Sequence, residues 1–188
     1  QGSDSVNIDA AGNITLTSKG GNIGSTNALK YKSGGTLSAS AENGSISIAS
    51  SGANAQLGNI TAKNGISVSS DKGITQTDSS VIQNTSSGVV SLANTSNDSV
   101  TLKNVSNSSG NIEVQSSGDV LLNGLLQASA GDVQIQAQNG NVQFANNAQT
   151  SASGDITVSS GKNIELGGSY AGKNLSFTAL SLIHISEP

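Results

Sequence analysis

Short runs in which apolar and polar residues alternate recur along the whole chain. Each run follows a Gly and usually one small polar residue, and it holds two β-forming residues separated by a residue that is usually polar. Such alternation over a few positions is the period of a half-buried strand, and it disfavours a helix. The clearest runs follow Gly12, Gly44, Gly110, Gly131, Gly140 and Gly154. The pattern predicts many short strands bounded by tight turns.

The spacing of the runs predicts how the strands are arranged. Runs that open at Gly110, Gly131 and Gly154 are 21 and 23 residues apart. Within the last interval a second run opens at Gly140, nine residues after Gly131, and a weaker third run follows at residues 148–150. Three short strands in a repeat of about 22 residues are typical of one turn of a parallel β-helix, in which each strand stacks on its equivalent one coil above.

The sequence therefore predicts an all-β fold, a right-handed parallel β-helix (solenoid) of about 8 coils of roughly 22 residues with three short strands per coil. At roughly 4.8 Å per coil, the rod is expected to be about 40 Å long. Columns of Ile, Val and Leu are expected to face inward, with Thr, Ser, Gln and Glu facing water and Asn or Asp stacked at the turns. Both ends are expected to expose unpaired strand edges, which are templates for association.

Two features depart from a regular coil. The interval from Gly58 to Gly88 is 30 residues, so a register shift or a bulged turn is expected there. Asn-Gly pairs at residues 43–44, 64–65, 123–124 and 139–140 also fit the two-residue turns of antiparallel hairpins. Hairpins are the alternative arrangement, and the three-strand period favours the coil.

Composition narrows the classes of function. The 188 residues carry a net charge of -4, all eight basic residues are Lys, and the aromatic content is 2%. Nucleic-acid binding favours a basic face rich in Arg with aromatic residues for stacking, so no nucleic-acid partner is expected. Without Cys, the chain has neither a disulfide nor a thiolate metal site. No apolar run approaches the length of a membrane span, so no membrane insertion is expected.

The repeat runs without a compositional break, so residues 1–179 are predicted to form a single β-helical array. The chain begins with Gln1, and the repeat is already running at Val6. We therefore expect the array to be an internal fragment of a larger protein, with uncapped ends.

The last nine residues, 180–188, break the pattern. They read Leu-Ser-Leu-Ile-His-Ile-Ser-Glu-Pro and contain the only His and the only Pro of the chain. Over its whole length this segment resembles the translation of a sequencing-library adapter, and a genuine strand-like tail is the alternative. It is predicted to be adapter read-through that is not part of the fold. His184 is therefore no candidate for a catalytic base or a metal ligand.

The repeats resemble those of a known family. The runs at residues 110–120 and 153–164 carry the likeness, which extends over nearly the whole chain up to Ala179. They are similar to the haemagglutinin-type repeats of filamentous-haemagglutinin-like adhesins, the large exoproteins of two-partner secretion systems. The resemblance implies the stalk of a secreted or surface-exposed filament of a Gram-negative bacterium. It also implies an outer-membrane secretion partner and a receptor or glycan on a host-cell or bacterial surface.

Glu113 and Glu165 are the candidates for a catalytic pair. Both are predicted at the outward position of similar strands, and 52 residues, a little over two coils, separate them. A vertical separation of about 10 Å is near the upper range for an inverting glycosidase. Solubilising charge on an exposed face is the alternative. Because Arg and Cys are absent and the only His lies in the tail, the usual catalytic sets are missing, and the chain is predicted not to be an enzyme.

A metal site is the second chemical possibility. Asp119, Asp132 and Asp155 follow Gly at turns that look equivalent, and a stacked acidic column would attract calcium. The glycine-aspartate nonapeptide of calcium-dependent β-rolls is absent, and turn geometry explains these Asp residues better. No metal and no cofactor are predicted.

Two further sets of residues are candidates for contacts or modification. Packing or turn roles are favoured for Tyr31 and Tyr170, and exposed contacts for sugars are the alternative, whereas Phe144 and Phe177 fall at inward strand positions. Sequons begin at Asn94, Asn104 and Asn107, and such motifs arise by chance in a chain this rich in Asn and Ser.

These observations favour a non-enzymatic function. The leading hypothesis is a structural stalk segment of a large secreted or surface-exposed bacterial adhesin that mediates attachment through an extended rod. The first alternative is the stalk of a contact-dependent inhibition toxin or haemolysin, because the same repeats occur in those proteins. The second is a polysaccharide-active β-helix enzyme, because such enzymes share this fold.

Overall fold

Residues 5–185 are described by the structure, which is a computed structural model. They form 21 strands and no helix, and their strand pairs are parallel. Eight parallel steps connect the nine strands of the first sheet. Residues paired across neighbouring coils are 19 to 26 positions apart, as for Ile156 with Leu175 and for Ile74 with Val100. The predicted parallel solenoid is confirmed, and the antiparallel alternative was wrong.

One side of each coil contributes a strand to a nine-stranded sheet, here called sheet A. Its strands, in stacking order, are β1 (Ile8–Ala10), β3 (Leu29–Ser33), β5 (Ile46–Ser50), β7 (Ile66–Ser70), β10 (Val90–Asn94), β12 (Ile112–Ser116), β14 (Val133–Ala137), β17 (Ile156–Ser160) and β20 (Leu175–Ala179). Most of these strands are five residues long because a Ser, Gly, Asn or Asp turn follows each one.

The other two sides form a bent twelve-stranded sheet, here called sheet B. Its main column is β2 (Ile14–Ser18), β4 (Leu37–Ala41), β6 (Ala55–Ala62), β8 (Ile74–Gln76), β11 (Val100–Asn107), β13 (Val120–Ala128), β15 (Val142–Phe144), β18 (Ile164–Leu166) and β21 (Ile183–Ile185). The third side adds β9 (Ile82–Asn84), β16 (Gln149–Ala152) and β19 (Ser169–Ala171). The long strands β6, β11 and β13 pass around the corner and therefore pair with strands of both sides.

The core is a stack of aliphatic columns. In sheet A the inward residues at the start of each strand pair directly across neighbouring coils, as Val90 does with Ile112 and Val133 with Ile156, and all four are fully buried. Most outward positions between them carry Ser, Thr, Gln or Glu, and the others carry Ala, Asp or Lys. Burying one such aliphatic side chain contributes roughly 1.5–3 kcal/mol, so the repeated column supplies the stability of each coil-to-coil step. The predicted inward and outward faces are confirmed.

The predicted irregularity near Gly58 is present as a bulge. Leu37 pairs with Leu57, but Ala39 pairs with Ile60, so one extra residue enters β6 at this point. A second bulge follows in β13, because Leu102 pairs with Leu122 but Asn104 pairs with Leu125. The interval of 30 residues is not the length of one coil, because Gly58 and Gly88 are not equivalent positions. Gly58 lies inside a strand of sheet B, whereas Gly88 lies before a strand of sheet A.

Part of the segment predicted to be foreign lies within the described residues. Strand β21 pairs with β18, so that Ile183 lies beside Ile164 and Ile185 beside Leu166. Residues 180–185 are all exposed, and residues 186–188 of this segment lie outside the described part. Any short segment with alternating apolar residues fits a free parallel edge, so this pairing is independent of where the segment comes from. Its origin stays a prediction.

Candidate functional site: the polar outer faces

From β5 to β20, the outer face of sheet A consists of two parallel rows of polar or small side chains, whereas β1 and β3 place Asp9, Lys30 and Lys32 at outward positions. The first row is Ser47, Ser67, Ser91, Glu113, Gln134, Thr157 and Ser176, and the second is Ala49, Ser69, Ala93, Gln115, Gln136, Ser159 and Thr178. The rows arise because alternate residues of a strand face the same side and the strands stack without a shift. One charge, that of Glu113, lies among these fourteen positions.

A shallow depression of about 160 Å³ lies on this face. Its polar lining is Glu113, Gln115, Gln134, Gln136, Thr157 and Ser159. These groups donate and accept hydrogen bonds, but the depression has no aromatic platform and no basic side chain among its lining residues. Its chemistry therefore suits weak polar contact along a surface rather than tight enclosure of a ligand.

The structure does not bring together the candidate catalytic pair Glu113 and Glu165. Glu113 lies on β12 in sheet A, whereas Glu165 lies on β18 in sheet B, so the two carboxylates are on different sides of the solenoid. Gln143 donates a hydrogen bond to Glu165 from the neighbouring coil at 3.0 Å. Both strands follow a similar Gly-Asn or Lys-Asn phrase, and that phrase does not encode which side of the coil comes next.

The three Asp residues expected at equivalent turns belong to two different corners. Before sheet A, Asn111 accepts the backbone N–H of Asp132 at 2.9 Å, and Asp132 accepts that of Asp155 at 2.8 Å. Asp119 lies before sheet B, where it accepts the backbone N–H of Asn141 at 2.7 Å. These carboxylates therefore hold neighbouring coils together, as the expected stacking of turn Asn and Asp residues requires. Residues 5–185 contain no group of three or more potential metal-ligating side chains arranged around a common site.

Tyr31 is buried, which agrees with the favoured packing role and excludes the alternative of an exposed contact. Its ring is 1% exposed, and its hydroxyl faces Ser50, whose own hydroxyl donates to the carbonyl of Ala53 at 2.9 Å. The Tyr31 hydroxyl therefore has no hydrogen bond of normal geometry. Burial raises the pKa of Tyr31 to about 12, and the nearby Ser50 only partly opposes this rise. The alternation in Leu29–Ser33 places Tyr31 inward and was the available signal.

Tyr170 is half-buried in a small aromatic cluster. Its ring meets Phe144 edge-on at a centroid distance of 5.0 Å and Phe177 at 5.3 Å. Its hydroxyl donates to the carbonyl of Gly167 at 2.7 Å, and burial raises the pKa of Tyr170 above its usual range. Phe144 is buried and Phe177 packs against the core, which confirms the predicted inward positions. The cluster therefore joins the last coils of the described chain.

We expect Tyr31→Phe to stabilise the fold by about 1 kcal/mol, because the change removes a buried hydroxyl that lacks a partner. The matched variant Tyr170→Phe is expected to destabilise the fold by about 1 kcal/mol, because it deletes the hydrogen bond to Gly167. Urea unfolding monitored by circular dichroism measures both changes. Equal effects of the two variants would contradict the environments described for the two hydroxyls.

Alkaline pH is expected to destabilise the protein through Tyr31. The unfolded chain loses its phenol proton near the ordinary pKa of 10.0, whereas folded Tyr31 keeps it up to about 12. The contribution of this proton to the free energy of unfolding, roughly 3 kcal/mol in total, is therefore fully present below pH 10 and is lost as the pH rises through 12. Urea midpoints measured from pH 9 to 12 should fall less steeply for Tyr31→Phe than for the unchanged chain. Parallel curves would rule out this role.

A buried ladder of polar side chains on the third side of the coil was not predicted from the sequence. Asn84 donates to the side chain of Asn107 at 2.9 Å, and both residues are fully buried. Asn107 in turn donates to the carbonyls of Gly88 at 2.9 Å and Asn111 at 2.8 Å, while Asn84 accepts the N–H of Gly65 at 2.8 Å. Both Asn residues end their strands at inward positions, which was the available signal. The ladder joins the coil corner to the next strand of sheet A.

The same geometry bears on the sequons. Asn94 and Asn107 are 5% and 0% exposed, and the Asn94 amide donates to the carbonyl of Asp98 at 2.6 Å. Asn104 is half-buried. Attachment of a sugar at Asn94 or Asn107 would require breaking these buried hydrogen bonds in the folded chain.

Comparisons with known proteins do not identify a family for the chain. No protein-family model matches the chain, and searches of curated proteins and of solved structures found no match. The part of the chain that the structure describes has no helix with the length and apolar character needed to cross a membrane. The functional argument therefore depends on the solenoid, its surface and the resemblance of its repeats.

Proposed function

We propose that the chain is a structural stalk segment of a large secreted or surface-exposed bacterial adhesin. The observation that carries the proposal is the uninterrupted parallel stacking of nine strands in sheet A, which makes the described chain a rod rather than an enclosed binding domain. At roughly 4.8 Å for each of the eight steps, the rod is about 40 Å long. Its function is to hold a binding region away from the cell.

Stiffness in this stalk comes from contacts that repeat at every coil. Each step combines backbone pairing, the aliphatic columns and turn ladders such as the one from Asn111 through Asp132 to Asp155. Bending the rod would break several of these contacts at once, so the free energy of a kink is the sum of many small terms. The polar rows of sheet A add weak contacts to a receptor or glycan along the rod, which become useful through multivalency.

The proposal places the stalk outside a Gram-negative cell after export by an outer-membrane partner, and it includes no catalytic role. The resemblance of the repeats to two-partner secretion exoproteins supports this location. The absence of catalysis is supported by the separation of Glu113 and Glu165 onto different sheets. Release of reducing ends from acidic polysaccharides by the purified chain, abolished in Glu113→Gln, would contradict it.

A surface-display experiment tests the spacer function. The chain is inserted between an outer-membrane anchor and a small peptide tag on bacteria that carry long surface polysaccharide, and beads coated with an antibody to the tag are added. We expect capture with the chain present and little capture when the tag is joined directly to the anchor. The same comparison on cells without long polysaccharide is the control, because capture should then be equal. If the chain makes no difference to capture on cells that carry long polysaccharide, a spacer function is contradicted.

A further inference from the structure

The chain contains four Asn-Gly pairs, and the structure gives them different surroundings. In the pairs at residues 43–44, 64–65 and 139–140 the Asn is exposed, but the Gly is buried at a corner between two strands. Gly140, for example, lies so close to the coil below that a Cβ there would overlap the backbone of Gly118. The backbone nitrogens of these three Gly residues are therefore shielded from water in the folded chain.

Hydrogen bonds restrain two of the shielded pairs further. The side-chain amide of Asn43 donates to the carbonyl of Lys19 at 2.8 Å. The N–H of Gly65 donates to the side chain of Asn84 at 2.8 Å, and this bond is buried. The first contact fixes the Asn side chain, and the second occupies the backbone nitrogen that follows the Asn.

The fourth pair lies in the bulge of β13. Asn123 is exposed, and Gly124 is only half-buried. Leu122 and Leu125 pair with residues of both neighbouring coils, whereas no described residue pairs with Asn123 or Gly124. A bulge leaves its extra residue outside the ladder of paired strands. The Asn123 side chain and the Gly124 backbone are therefore less restrained than the same groups in the other three pairs.

We propose that Asn123 is a site of spontaneous deamidation in the folded chain. The Gly124 nitrogen loses its proton to hydroxide and attacks the side-chain carbonyl carbon, Cγ, of Asn123. The new C–N bond closes a succinimide ring, while Nδ2 takes up a proton and leaves as ammonia. Water then opens the ring at either carbonyl, which gives an aspartate or an isoaspartate at this position. Gly after the Asn favours the reaction because it has no Cβ to obstruct the attack.

The products change the surface of the rod without requiring it to unfold. Both add a negative charge at the bulge, and the isoaspartate also adds a methylene group to the main chain. Because Asn123 and Gly124 have no partners in the neighbouring described strands, the extra length does not have to break a strand pair. The modified chain is therefore expected to stay folded. This inference does not depend on the proposed function.

Peptide mapping of the folded 188-residue chain tests the proposal. The chain is incubated at mildly alkaline pH, samples are digested with pepsin at acid pH, and mass spectrometry measures the replacement of the amide nitrogen by oxygen at each Asn. We expect Asn123 to react at least about tenfold faster than Asn43, Asn64 and Asn139, which corresponds to an opening free energy of about 1.4 kcal/mol for the shielded turns. An equal rate at any of these three residues would overturn the proposal.

The same chain in concentrated urea separates the effect of the fold from that of the sequence. Without the fold, the four Asn-Gly pairs are expected to react at similar rates, because the shielding of Gly44, Gly65 and Gly140 is then lost. If Asn123 kept its full advantage in urea, the preference would come from the local sequence, and the structural argument would be overturned.

Asn123→Gln is the matched variant, because the longer Gln side chain would have to close a larger and less favourable ring. Ion-exchange chromatography of the folded chain should show acidic species that accumulate with time, and this variant should lose most of them. Asn139→Gln is the control and should accumulate acidic species like the unchanged chain. Equal accumulation in the two variants would overturn the assignment to Asn123. Circular dichroism of the acidic species should match that of the unmodified chain, and a loss of signal would contradict reaction without unfolding.

Discussion

Gly110→Ala is expected to lower the free energy of unfolding by at least about 3 kcal/mol. Gly110 has a φ of +130°, a conformation that residues with a Cβ rarely adopt. A Cβ at this position would also overlap the carbonyl oxygen of Gly88 in the coil below and lie 3.2 Å from the side-chain nitrogen of Asn107. Backbone strain and steric overlap therefore act together. Urea unfolding followed by circular dichroism measures the change.

Gly20→Ala is the matched control. No atom lies within 4 Å of a Cβ built at Gly20, and its φ is not positive. We therefore expect a change within about 0.5 kcal/mol. A loss at Gly20 as large as the loss at Gly110 would mean that close coil stacking does not determine where Gly is required.

Asn107→Ala is expected to lower the free energy of unfolding by about 2–4 kcal/mol. The change deletes the hydrogen bonds of Asn107 to the carbonyls of Gly88 and Asn111 and to the side-chain amide of Asn84. The Asn111 carbonyl still accepts the N–H of Val90, and the Asn84 amide still donates to the carbonyl of Ser87. The loss is therefore that of three buried hydrogen bonds, each worth about 0.5–1.5 kcal/mol. The measurement is again urea unfolding at neutral pH.

Asn147→Ala serves as the control for Asn107, because Asn147 is exposed at a turn. Its replacement should change the stability by less than about 0.5 kcal/mol. A small effect at Asn107 would contradict a structural role for the buried ladder. Because Gly110 and Asn107 contact the same turn, the double variant is expected to lose less than the sum of the two single losses.

The columns of the solenoid could be predicted from the sequence because two periods coincide. Alternation within a run, as in Ile112–Ser116, determines which face is inward, and the interval of about 22 residues brings equivalent runs into register. Glycine-bounded turns then limit each strand to a few residues. These are local signals, and the structure confirms them.

The identity of each coil side could not be predicted. Glu113 and Glu165 follow similar phrases, yet Glu113 lies on a strand of sheet A and Glu165 lies on a strand of sheet B. Asp119 and Asp132 are separated in the same way. A turn phrase specifies a local bend, whereas its position around the coil depends on the total number of residues since the previous corner. That number varies because of the bulges in β6 and β13.

Inward polar residues were missed for a different reason. The sequence offers no sign that Asn84 and Asn107 are buried, since Asn favours turns in general. Inside this solenoid an Asn at the end of a strand finds backbone partners in the next corner and an identical side chain one coil away. Only the stacked structure supplies those partners, so composition and alternation alone do not reveal the ladder.

The distance between two labelled positions along the rod tests the central claim most directly. Because the chain has no Cys, Ser47→Cys and Thr157→Cys introduce unique sites for spin labels on the outer face of sheet A. Five coil steps separate these residues in one row, so a narrow distribution centred at roughly 24 Å between backbone positions is expected. An antiparallel meander would place the same strands twelve spacings apart, at about 58 Å. A mean near that longer distance, or a broad distribution without denaturant, would contradict the stacked parallel rod.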